Sequence, residues 1–109
     1  MSALIWCPFP SAAEADEAAA RLLEEGLVAC ANRMGPMHSQ FVWNGEISSS
    51  EETGVLFKTH ERLLEQATRR LEELHPYDTP AIMGWRCDDA SAATHQWLRS
   101  LVPAREKQG

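Results

Sequence analysis

Positive charge is in short supply. Ten Lys and Arg residues face sixteen Asp and Glu, a formal charge of −6, where a general nucleic-acid binder carries a basic footprint. Cysteine is scarce and odd in number. Cys7, Cys30 and Cys87 contain no C-x-x-C pair, so neither a disulfide framework nor a ready-made zinc knuckle is encoded. Long apolar runs are missing as well: nothing approaches the roughly 18 apolar residues of a membrane span. Residues 3–10 are apolar but too few for a signal peptide, and no basic segment precedes them. Cytoplasmic residence is the expectation. There is no G-x-S-x-G, P-loop or H-E-x-x-H, and no H-x-H or H-x-x-x-H pair among the histidines. His38, His60 and His95 are therefore expected as surface side chains, and nucleophilic catalysis has no local signature.

What is present is organised around residues 39–59. Asn44-Gly45 lies between alternating segments, and both residues tolerate the positive φ that a type I′ hairpin turn requires. Met37, Ser39, Phe41 and Trp43 share one face of the incoming strand. Residues 48–52 are Ser-Ser-Ser-Glu-Glu, too polar for a core, so the hairpin should project. A projecting hairpin leaves unpaired backbone groups that invite a second chain.

The remaining elements fall around that hairpin. Residues 3–7 read as a strand stopped by Pro8 and Pro10. Ser11 and Glu14 form a capping box for a helix carrying Ala15, Ala18, Ala19, Leu22 and Leu23 inward. Residues 27–31 read as a strand leading to the hairpin, with a bulge at Gly35-Pro36. Thr59 is placed to cap a second helix with Leu63, Leu64, Ala67, Leu71 and Leu74 inward, ended by His75-Pro76. Residues 81–87 form a last strand. Asp88-Asp89-Ala90-Ser91 then start a third helix that turns Trp97, Leu98, Leu101 and Val102 inward. The order βαββαβ plus a terminal helix predicts a ferredoxin-like α+β fold with one antiparallel sheet. One domain covers residues 1–102, followed by a polar tail at 103–109.

The segment Leu27-Val28-Ala29-Cys30-Ala31-Asn32, then Trp43-Asn44-Gly45-Glu46-Ile47, Glu52, Lys58-Thr59, His75-Pro76-Tyr77, Pro80, Ile82 and Trp97 occur in one order. In these pieces the chain resembles the CutA family of divalent-cation tolerance proteins, over most of residues 3–101. The resemblance implies a homotrimer built by hairpin edges, associated with copper and other divalent ions. The chain departs from the family pattern at Phe41, Ala81 and Thr94, where a Tyr, a Glu and an aromatic residue are usual. Two of these changes remove polar groups near the expected site.

Several residues are candidates for chemistry. His75 and Tyr77 offer an imidazole and a phenol, and serve equally well as a helix end and a packed ring. Cys30 is a soft donor for copper, or a thiol packed in its strand. Lys58 attracts an anionic ligand group, or pairs with Glu51 or Glu52. Asp88 and Asp89 offer oxygen to a hard cation, or cap a helix. The resemblance brings Trp43 and Lys58 of the hairpin toward His75 and Tyr77 in a cleft between subunits. Ligand binding is accordingly expected at Trp43, Lys58, His75 and Tyr77, and metal binding at His75 and Cys30. No catalytic residue or organic cofactor is implied. The expected function is a trimer that binds divalent, copper-type ions in metal tolerance. The alternatives are a PII-like small-ligand sensor and an enzyme acting on a small anionic substrate. No nucleic acid or membrane is expected among its partners.

Overall fold

Pro8 does not end the first strand. In the computed structural model, which describes residues 1–103, strand β1 (Ser2–Phe9) runs through it to Phe9. The short strand β4 (Met83–Arg86) pairs with β1 only as far as Trp6, so Pro8 has no strand on the side that its missing N–H would serve. Its carbonyl points the same way and is taken by a side chain, described below.

The other elements are α1 (Ala12–Glu24), β2 (Cys30–Trp43), β3 (Glu46–His60), α2 (Glu61–Leu74) and α3 (Ala92–Arg99). The sheet order is β2-β3-β1-β4, antiparallel throughout. This is the ferredoxin-like α+β fold expected from the element order.

Ile5, Cys7, Phe9, Val55 and Phe57 project from one sheet face into a core closed by Ala15, Ala18 and Leu22 of α1 and Ala67 and Leu71 of α2. The small residues of α1 let that helix sit close to the sheet. Each fully buried Leu, Ile or Phe contributes about 1.5–3 kcal/mol, which makes this face the main source of stability. Ser11 caps α1, its Oγ accepting the Glu14 N–H at 3.3 Å. Glu65 and Arg69 pair along α2 at 3.0 Å, as their spacing predicts.

Several boundaries differ from expectation, each for a local reason. Residues 27–29 are not yet strand. Leu27 and Val28 are buried, and the segment is tied to β3 by the Ala29 N–H on the Lys58 carbonyl at 2.9 Å. Thr59 does not cap α2, because its hydroxyl donates to the Leu27 carbonyl at 2.7 Å. The cap is His60, whose Nδ1 accepts the Arg62 N–H at 3.2 Å. His60 is thus buried, not a surface histidine. The His95 ring lies near it, tilted by 36° with ring centroids 5.9 Å apart. Ser91, not Asp88 or Asp89, caps α3, and Trp97 lies half exposed because Leu98 and Val102 take the inner positions. The expected polar tail beyond Pro103 lies outside the described residues.

Opposite the helices the sheet is largely bare. Leu4, Trp6, Leu56, Lys58 and Trp85 alternate with core residues and so face away from α1 and α2. Among the described residues only α3 covers the Ser2–His60 end. Beyond the register shift at Met34/Met37, β2 and β3 continue with no third strand. Asn44 and Gly45 close this arm at φ 52° and 78°, the geometry of the expected turn. The arm gives the molecule its 48 Å long axis against 26 and 23 Å across.

Candidate ligand cleft

Where the arm leaves the sheet, the turn after α2 folds against it. Two local devices hold that turn. Pro76 prevents α2 from continuing, and the His75 ring fixes the backbone on either side. Its Nδ1 accepts the Tyr77 N–H at 3.2 Å. The ring proton therefore sits on Nε2, which donates to the Pro8 carbonyl at 2.8 Å. The ring stacks on Phe9 at 4.6 Å and 16°, and Tyr77 tilts against it at 4.8 Å.

So positioned, the Tyr77 hydroxyl donates to Glu52 Oε2 at 3.1 Å. Burial, reinforced by the hydrogen bond to Glu52 and its charge, pushes the Tyr77 phenol above its ordinary pKa of 10.0. It stays a protonated donor. Between arm and turn lies a cleft of about 640 Å3, walled by Phe41 and Trp43 of β2, Glu52 of β3, and Tyr77 and Asp78 of the turn. Ser39, Ser50 and Thr79 add hydroxyls.

Two of the four residues expected to bind ligand, Trp43 and Tyr77, meet on this cleft. The other two do not reach it within one chain. His75 lies beneath Tyr77 with both ring nitrogens engaged by backbone, so it has no free lone pair for a metal. The expected metal role is corrected to a positioning one. Lys58 sits six residues along β3 from Glu52, roughly 20 Å at strand spacing, opposite Leu4 and Cys30 on the bare face. Neither Glu51 nor Glu52 pairs with it: Glu51 bonds His38 at 3.0 Å, and Glu52 bonds Tyr77.

Cys30 is half-buried, its thiol donating to Asn32 Oδ1 at 3.5 Å. It keeps company with Lys58, not with His75. Among the described residues no group of three His, Cys, Asp or Glu side chains is placed to hold a metal ion. Asp89 turns its carboxylate back to the Ala90 N–H at 2.9 Å. No helix among the described residues is long and apolar enough to cross a membrane.

Glu52 and Asp78 were missed as wall residues. Phe41 was placed on one face with Ser39 and Trp43 by the alternation, but was not named as a ligand-binding residue. Glu52 and Asp78 carry no such signal, because the turn after α2 meets the arm only in three dimensions.

The element order, the sheet and the projecting arm define a ferredoxin-like α+β domain whose hairpin outgrows its own core. The chain belongs to a family described as the CutA1 divalent ion tolerance protein, whose model matches residues 3–101. It is 37% identical over 95 residues to the divalent-cation tolerance protein CutA of Pyrococcus horikoshii, covering 87% of this chain and 92% of that protein. It is 35% identical over 99 residues to the CutA of Thermotoga maritima, covering 91% and 97%. Among solved structures, that of the divalent cation tolerance protein from Thermus thermophilus superposes with a TM-score of 0.89 at 29% identity, covering 94% of this chain and 100% of that one. These descriptions are of a tolerance protein, not of an enzyme.

Proposed function

We propose that the chain acts in divalent-cation tolerance as a cytoplasmic homotrimer, holding a divalent ion where copies meet. One observation carries this reading: large apolar side chains stand uncovered on the bare sheet face and the arm. Trp85 is 45% exposed, Val42 69% and Ile47 83%. Large apolar side chains left open in this way mark interaction surfaces, and among the described residues both sheet edges, β2 and β4, carry open backbone groups that a closed ring of copies removes. Three is the number of copies the family resemblance implies.

The ion comes from the family resemblance, which implies association with copper and other divalent ions. In this reading donors from different copies complete the site, since no group of three His, Cys, Asp or Glu is placed together among the described residues. Cys30, on the bare face, supplies a soft thiolate that favours copper over hard ions. The three free cysteines suit a reducing, cytoplasmic setting.

The test combines mass and metal. Light scattering after gel filtration should give three times the chain mass of 12.2 kDa. Calorimetric titration of chelator-stripped, reduced protein should find a copper-type ion bound. Placing Lys at both Val42 and Ile47 should yield monomers that no longer bind it. Undiminished affinity in those monomers would place the donors within one chain and overturn the reading.

A second reading, small-ligand sensing of the PII-like kind, is favoured by the cleft of about 640 Å3. That lies inside the range of small-molecule sites, about 300–1,000 Å3.

A further inference from the structure

The cleft has a chemistry that its size alone does not convey. Three of its walls are aromatic: Phe41 and Trp43 from one face of β2, and Tyr77 from the turn. All three are substantially exposed, Trp43 at 54%, so their ring surfaces are available to an occupant. Two further walls are carboxylates, Glu52 and Asp78. Among the described residues none of the walls is Lys, Arg or His.

Aromatic faces carry the negative end of the ring quadrupole and attract cations within about 6 Å of the ring centre. Carboxylates add full negative charge. Tyr77 uses Glu52 Oε2, so Oε1 remains to accept from an ammonium group. The hydroxyls of Ser39, Ser50 and Thr79 add acceptors that need no counter-charge. An anion in the same place would meet two carboxylates and no cationic partner, with Lys58 roughly 20 Å away along β3. A bare divalent ion finds two carboxylates where hard cations take about 6–8 oxygens.

We propose that this cleft binds a small organic cation, a protonated primary amine carried on an apolar body. The ammonium faces Glu52 and Asp78, and the body lies against Phe41, Trp43 and Tyr77. The proposal rests on the small-ligand reading of the cleft and deepens it. It also reverses the charge of the anionic ligand that Lys58 suggested from sequence.

The experiment uses three probes of one shape and different charge: phenethylammonium, 2-phenylethanol and 3-phenylpropionate. Each is titrated calorimetrically into the full chain in EDTA, in whatever assembly it forms, with the mass measured on the same samples. Phenethylammonium should bind at least tenfold tighter than either of the others, a difference of about 1.4 kcal/mol. Glu52→Gln combined with Asp78→Asn should bring the ammonium down to the level of the alcohol and leave the alcohol unchanged. Trp43→Ala should weaken all probes that bind.

Equal or tighter binding of the alcohol or the carboxylate would overturn the cation assignment while sparing a ligand cleft. Preference for the ammonium persisting in the double variant would overturn the role of the carboxylates. If none of the three binds saturably, the small-ligand reading fails together with the cation. A monomer mass with intact ammonium selectivity would count against the trimer alone.

Discussion

His75 completes the hydrogen bonding of Pro8: its Nε2–H meets the Pro8 carbonyl at 2.8 Å, where β4 is too short to reach. An imidazole thus stands where a strand would, and its other nitrogen holds the turn carrying Tyr77.

Replacing it tests that division of labour. His75→Ala leaves the Pro8 carbonyl and the Tyr77 N–H without partners and removes the ring stacked on Phe9. The expected cost is about 1–3 kcal/mol per buried group left unpaired, read as a lowered urea midpoint. Copper affinity of the assembled protein should be unchanged. Lost copper affinity at an unaltered midpoint would restore His75 as a ligand.

A second histidine sets a pH limit. Burial, aided by the positive N-terminus, lowers the pKa of His60 from the ordinary 6.5, against the opposing pull of Glu61; His95 and Arg99 lower it further. Its Nδ1 must stay unprotonated to cap α2. Among the described residues its buried Nε2 has no partner. The unfolded chain therefore binds this proton more readily than the folded one. Stability is complete above about pH 6.5 and falls as pH drops through the lowered folded value. Urea midpoints measured from about pH 8 to about pH 5 should decline over that interval, and the His60→Gln variant should show a flatter profile.

Gly54 is held to hydrogen by its neighbour. A Cβ there would collide with the outer edge of the Trp6 indole, which rests over it on the bare face. Gly54→Ala must displace that ring and should cost about 1–3 kcal/mol, the range for overpacking. A variant with wild-type stability and unchanged Trp emission would show that the indole does not rest there.

Cys7 should be the unreactive thiol. Burial, reinforced by the charge of Glu52, pushes its pKa from 9.0 up to about 12, and only the thiolate is nucleophilic. Iodoacetamide at about pH 8 should leave Cys7 unmodified in folded protein and label it in urea, as peptide mass mapping will show. Labelling of Cys7 at native stability would contradict its burial.

The parts of the fold that were legible in the sequence rest on local chemistry. Asn44-Gly45 fixes its turn, Ser11 and Glu14 fix the start of α1, and the apolar period of α2 identifies its inner face. The errors occur where a partner distant in sequence decides. Thr59 is a good cap until Leu27 claims its hydroxyl, and Pro8 ends a strand only if a neighbour needs its N–H. The same division governs the site. Trp43 and Tyr77, which meet on the cleft, were named from sequence, the one from the family resemblance and the other for its phenol beside His75. Lys58 stays apart from Tyr77 within one chain, because the turn after α2 lands roughly 20 Å along β3 from it, and its expected place in a cleft between subunits involves a second copy. His75 was expected as a ligand and metal donor, yet within one chain both its ring nitrogens are engaged by backbone groups of Pro8 and Tyr77, partners that the sequence does not reveal.

The two-stranded arm has a kinetic consequence. Within one copy, the ladder from Met37 to Trp43 opposite residues 46–52 is held by one pairing, while the ladder from Ser2 to Phe9 lies beneath two helices. Amide hydrogens in the arm should therefore exchange through local opening of low free energy, and those of β1 only through global unfolding. The register shift at Met34/Met37 marks the boundary between the two regimes. Among the described residues the arm has that single pairing to protect it within one copy, so protection there approaching that of β1 would report cover by neighbouring copies.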